Sequence, residues 1–180
     1  MKNILSLSAV ALLAISITAC NDNRRAKNYN EKTLVDDQGI GFIKEAHEAS
    51  LTEIKAGTVA QAKSQNPRVI SFAKMMVSDH KSMGSEVKKL ATDKYVNLKM
   101  DTDTLNPEHQ QMVVGLNKMS GPAFDKAYMQ MMVADHAKVI ELFRKNTDNR
   151  ITEIKKLAEK SLPKLNMHLD SAKAINASLK

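Results

Sequence analysis

Three of the four prolines of this chain mark where helices begin. Pro67 follows Asn66, Pro107 follows Asn106, and Pro122 follows Ser120-Gly121. An Asn N-cap satisfies an orphan amide at a helix start, and Pro at the first helical position needs no amide partner and already has helical φ. Behind each of these signals run apolar residues at helical spacing. From Pro67 the stripe is Val69, Ala73, Met76, Met83, Val87 and Leu90, reaching about Tyr95. A short helix is predicted from Pro107 to about Lys118. The next carries Met129, Met132, Val139, Ile140 and Phe143 and ends near Asn146. Ahead of these, Ile40 to about Lys63 repeats Ile43, Ala46, Ser50, Ile54, Gly57 and Ala60. A last helix is capped by Asp148 or Asn149 and continues through Ile151, Ile154 and Leu157, with a kink expected at Pro163.

Four long helices, about 35–45 Å each at 1.5 Å per residue, make a bundle. Joined directly to the third long helix, the 107–118 segment would form one rod, which Ser-Gly-Pro forbids. It belongs instead to a long connection between helix pairs. The expected fold is therefore all-α, a ferritin-like four-helix bundle with an extra short helix in that connection. Composition agrees: aromatics are 4 % with no Trp, and there are six Gly in 180 residues, too few for a β-sandwich or barrel. The core is expected to be aliphatic and rich in Met, of which there are 11.

Residues 1–19 read as a leader rather than as fold. Lys2 supplies a positive start, Ile4 to Ile17 an apolar run too short to span a bilayer comfortably, and Thr18-Ala19 small residues before Cys20. This pattern matches a bacterial lipoprotein signal, with Cys20 lipidated as the new N-terminus. An ordinary secretory signal with an incidental Cys is the alternative. Residues 20–38 are then a lipidated polar tether and 39–180 the bundle. The expected partner is a membrane, reached through the lipid, and the expected location is the cell envelope, facing the periplasm from the outer membrane. A lone Cys excludes an internal disulfide and a Cys-based zinc site. Basic residues are spread along the helices without aromatic interleaving, so nucleic acid is not an expected partner.

Each long helix carries one polar group inside its apolar stripe. His80 has Met76, Val77, Met83 and Gly84 as helical neighbours, and His136 has Met132, Val133, Val139 and Ile140. Glu53 lies among Ala49, Ser50, Ala56 and Gly57, and His168 between Leu165 and Ala172. Inward carboxylates and imidazoles on facing helices are how bundles build metal sites, and this set suits Zn, Fe, Mn or Cu. Counting rises from the turns places Glu53 and His80 about 4.5 Å apart in depth, but puts His168 about 12 Å from the level of His136. Glu53, His80 and His136 are thus the preferred ligands, with His168 as a possible fourth. Asp79 and Asp135 flank the stripes and could orient an imidazole from a neighbouring helix. A purely structural hydrogen-bonded network involving Asp79, Asp135 or Tyr128 also fits. The residues three before the histidines are Val77, Val133 and Leu165, so the Glu-x-x-His of a di-iron centre is missing and no ferroxidase is expected. The Met residues share faces with other apolar residues and are read as packing. His47 and His109 are expected to be solvated. Met75–His80 echoes Met131–His136, 56 residues later, a trace of duplication or a coincidence.

Taken in order, Glu53 in Leu-Thr-Glu-Ile, Phe72-Ala73 before Met76-Val77-Ser78-Asp79-His80, Phe124-Asp125-Lys126-Ala127-Tyr128 before His136, and Leu162-Pro163-Lys164-Leu165-Asn166-Met167-His168 resemble the domain of unknown function 4142 family of bacterial envelope proteins. The resemblance runs from about Gly39 to Ala177. It implies a ferritin-like bundle and an exported location, and no established activity. Glu53, Asp79, His80, Asp125, Tyr128, His136, Pro163 and His168 are the positions matching its motifs, and Asp125 and Tyr128 join the candidate supporting residues on that ground. Two functional readings remain: a transition-metal binding module, or a non-enzymatic envelope or stress-associated interaction domain with structural histidines.

Overall fold

Among the described residues five helices form, three of them opened by the predicted proline signals. The computed structural model of the chain describes residues 35–98 and 104–179. Helix α1 is Asp37–Lys63, α2 Pro67–Asp93, α3 Pro107–Asn117, α4 Gly121–Arg144 and α5 Thr152–Ser178. The leader and Cys20 lie outside the described residues. Asp36 starts α1 three residues earlier than the stripe suggested, its carboxylate accepting from the Gly39 amide at 2.9 Å. Asn66 and Asn106 cap α2 and α3 through the amides of Arg68 and His109. Ser120 makes no side-chain cap; the break before α4 rests on Gly121, whose φ of 59° suits a residue without Cβ.

The start of α5 differs from expectation. Neither Asp148 nor Asn149 is its N-cap, which is Ile151 without a side-chain bond. The asparagines hold the connection instead. Asn149 Nδ2 donates to Asn146 Oδ1 at 2.8 Å, and Asn149 Oδ1 accepts from the Ile151 amide at 2.9 Å. Pro163 lies within α5, which continues through it.

End contacts fix the topology. At one end Arg150 reaches Asp36 at 2.9 Å and Lys94 reaches Glu153 at 3.0 Å. At the other, Arg68 donates to Ser178 at 2.8 Å and Lys63 to the Met119 carbonyl at 3.3 Å. So α1 and α2 form one antiparallel hairpin and α4 and α5 another, while α2 and α4 run in the same direction. The connection between them must travel the length of the bundle, and α3 lies within it against α1. This is the ferritin-like arrangement. A duplicated hairpin would place a repeated motif on α1 and α4 or on α2 and α5. The Met-Met-Val-x-Asp-His echo falls on α2 and α4, which are not equivalent by that symmetry.

The core divides into two apolar blocks. One holds Phe42, Ile43, Val87, Phe143, Ile154 and Leu157. The other holds Phe72, Met76, Phe124, Tyr128, Met129 and Met132. On each long helix the polar residue falls between its contributions to the two blocks, giving a polar layer sealed above and below. Gly57 lets α1 and α2 approach closely beside that layer: a Cβ there would lie 2.9 Å from Val77 Cγ2 and 3.2 Å from the Ala73 carbonyl oxygen.

Candidate metal centre

All four polar-layer residues are buried, Glu53 and His80 to 1 % exposure and His136 and His168 to 0 %. The structure brings His168 fully into the group. Nitrogens of His80, His136 and His168 lie within 4.8 Å of one another, and the three ring centroids are 5.3–5.7 Å apart. The chain turns later than Asp148, the last helix starting only at Thr152. His136 and His168 are equidistant in sequence from Thr152, the first residue of α5, because the 145–151 connection climbs past the end of α4 before turning. Glu53 stands beside the trio rather than within it. Its Oε2 is 2.5 Å from His80 Nε2 and its Oε1 3.3 Å from His136 Nδ1.

Protons can be assigned from the outer contacts. His136 Nδ1 lies 2.9 Å from the Met132 carbonyl oxygen, which only accepts, so Nδ1 carries the hydrogen. His168 Nε2 lies 3.0 Å from Asp79 Oδ2, and that carboxylate is held in place by Lys164 Nζ at 2.9 Å. Burial opposes ionisation of Asp79, but the Lys164 and His168 hydrogen bonds outweigh it and lower its pKa. His168 Nε2 is therefore also a donor. The two remaining nitrogens, His136 Nε2 and His168 Nδ1, face each other at 3.3 Å, and in the neutral rings both are lone pairs. Burial, followed by the neighbouring His80 and His136, lowers the pKa of His168 to about 4 despite Asp79, which disfavours protonation of His168 Nδ1. A tetrahedral ion with bonds of ~2.0–2.1 Å needs ligand nitrogens about 3.3 Å apart. This pair already has that spacing.

Other atoms around the layer are also unsatisfied. Both Glu53 oxygens and both His80 nitrogens are buried without a hydrogen bond of acceptable geometry, their short contact being misaligned for N–H···O. Burial pushes the Glu53 pKa up, but the charges of His80 and His136 and the other His contacts prevail and lower it. Tyr128 OH has no partner, and burial plus the charge of Glu53 raise its pKa. Asp125 and Asp135 are buried, each with one unpartnered oxygen. Among the described residues, no hydrogen bond joins Asp125, Tyr128 or Asp135 to an imidazole. Asp79 alone of the four candidate supports does so.

His109 is not solvated as expected. It pairs with Glu48 at 2.9 Å, and Glu48 Oε1 also accepts from the Asn106 amide at 2.9 Å. This latch of α3 onto α1 has no periodic signature, because it joins the first turn of one helix to the face of another far away in sequence. The Met132 carbonyl was a findable partner, since it lies one turn before His136.

A family model for the domain of unknown function DUF4142 matches residues 24–175. The chain belongs to the DUF4142 family. No curated protein matches this DUF4142 chain. Among solved structures, the crystal structure of a DUF305 fragment from Deinococcus radiodurans superposes with a TM-score of 0.70 at 14 % identity. The alignment covers 81 % of the DUF4142 chain and 99 % of the fragment. It shows a common helical fold.

Asp135 gives a pH signature for this DUF4142 bundle. Burial and the charge of Glu53 raise its pKa from 3.8 to about 6. Its folded pKa exceeds the unfolded value, so ionisation destabilises the fold above about pH 6, and this is relieved as pH falls toward 3.8. Depressed His168 acts in the opposite direction between 6.5 and about 4. Asp135→Asn is therefore expected to be more stable than wild type at pH 7, by on the order of 1 kcal/mol. The difference should close near pH 4. Urea titrations of both proteins in chelator at the two pH values check this, and His168 cancels in the comparison.

Proposed function

We propose that this chain binds one transition-metal ion through His80, His136 and His168, with Glu53 as the adjacent counter-charge. The observation supporting it is the pair of facing lone pairs on His136 Nε2 and His168 Nδ1 at 3.3 Å, each on a ring whose other nitrogen is committed as a donor. A cation between them removes the repulsion, and His80 supplies a third nitrogen. Asp79 and the Met132 carbonyl fix ring orientation and tautomer, as outer partners of ligating histidines do. Three imidazoles with a nearby carboxylate accept Zn, Fe, Mn or Cu, and competition should follow Cu2+ over Zn2+ over Fe2+ over Mn2+. The role is binding rather than di-iron redox chemistry, since no Glu-x-x-His is present.

A second reading is favoured by the ionised Glu53: it could stabilise an imidazolium, making the layer a structural proton-sharing network. Elemental analysis of untagged protein loaded with each ion separates the two. One ion per chain supports the metal site, and less than about 0.2 per chain sinks it.

We propose further that the bundle is held at the periplasmic face of the envelope by lipid on Cys20. No helix among the described residues is long and apolar enough to cross a membrane. Wild type should fractionate with membranes and Cys20→Ser should be soluble; identical fractionation would refute the anchor.

A further inference from the structure

A site this buried needs a way in, and among the described residues a cleft reaches Glu53 at its edge. Between α1, α4 and the α3 latch lies a cavity of about 390 Å³. Glu53 lines it and also touches His80 and His136, so the cleft floor and the metal centre share a carboxylate. Asp135 lines the same cleft from α4. It is 9 % exposed, and its Oδ2 is fully buried without a hydrogen-bond partner. Glu45 and Glu48 stand farther out on the α1 side. The lining thus carries four carboxylates against Lys44 and Lys138, on a chain whose formal charge is +7. Four carboxylates against two lysines leave the lining acidic, and an acidic cleft with low-dielectric walls concentrates cations. Here Val139, Leu142 and Ala49 supply the apolar walls.

The geometry points to this cleft as the entry path for a divalent cation, with Asp135 as the relay carboxylate between solvent and Glu53. The inference rests on the metal reading above. Asp135 is no permanent ligand, since the compact nitrogen group is made by the histidines alone. Its unpartnered oxygen offers a hard, transient stop before the imidazoles. Glu48 is partly engaged by Asn106 and His109, which leaves the inner step to Asp135. Because the latch closes one wall, α3 also limits the width of the mouth.

The test is the rate of Co2+ uptake by full-length chelator-treated protein, followed by the visible absorption of histidine-bound Co2+, with final content measured by elemental analysis. Asp135→Asn removes charge at nearly constant volume and is expected to slow uptake about tenfold, with the same final content as wild type. Ala49→Leu narrows the cleft and should slow uptake without touching any charge. Glu86→Gln, on an exposed pair with Lys160, should load at the wild-type rate. Wild-type loading with unchanged rates in both cleft variants overturns the route and leaves the metal site standing. A lower final content in Asp135→Asn also overturns it, by making Asp135 a ligand. Wild type that takes up no ion refutes the metal reading itself.

Discussion

His168→Ala is expected to abolish metal loading while leaving a folded bundle. The substitution removes one of two nitrogens already at ligand spacing and unbinds Asp79 from the layer. A metal that binds only the folded state adds about 4 kcal/mol at a thousandfold excess over Kd. For a domain of this size that raises Tm by roughly 10 °C. Wild type should show that difference between metal-containing and chelator buffers, and His168→Ala should show none. In chelator alone the variant should lose only the roughly 1–3 kcal/mol of a truncated buried side chain and its hydrogen bond. Paired thermal melts in the two buffers decide it. A variant that keeps the metal-dependent rise would leave His168 structural. His168→Gln, which fills more of the ring's space, covers the case in which alanine prevents folding.

The second large effect is expected at Glu53. It is 1 % exposed and its ionised carboxylate faces His80 and His136. Glu53→Ala leaves a void and strips the rings of their counter-charge, which in buried pairs costs about 3–5 kcal/mol. Glu53→Gln keeps the volume and one acceptor oxygen, so its loss in chelator should be clearly smaller. Both should weaken metal affinity, the glutamine by roughly 10–100-fold, as removal of an outer carboxylate does. Denaturant titration in chelator and competition with a chromophoric chelator measure the two quantities separately. Equal stability of Glu53→Gln and Glu53→Ala would mean that charge, not packing, is the whole contribution.

The helices were readable because Asn-Pro and Ser-Gly-Pro are local signals whose physics needs no tertiary context. A break before Pro122 and a polar stretch after Tyr95 pointed to a long connection, but spacing alone did not fix the topology, which the end contacts settle. The site residues were found by one criterion, a polar side chain inside an apolar stripe. What remained out of reach was height. Where a chain turns between helices depends on how the loop packs, and the Asn146 and Asn149 side chains carry the connection several residues beyond the point that Asp148 suggested. The same limit hid the Glu48 latch and the cleft. Asp135 shows it most plainly: its neighbour His136 faces the centre, while Asp135 faces a cavity formed by α1 and α4 and edged by Asn106 and His109.

The polar layer draws Glu53 and His80 from one hairpin and His136 and His168 from the other. Either hairpin alone can form from contacts near in sequence, which assemble early, yet neither holds all three of the imidazoles. The complete three-nitrogen site therefore forms only after the hairpins have docked across the long crossover. The ion would then work as a clasp, slowing separation of the two halves more than it speeds their meeting. Its removal should shorten the lifetime of the assembled protein well before it changes how quickly the chain finds that state.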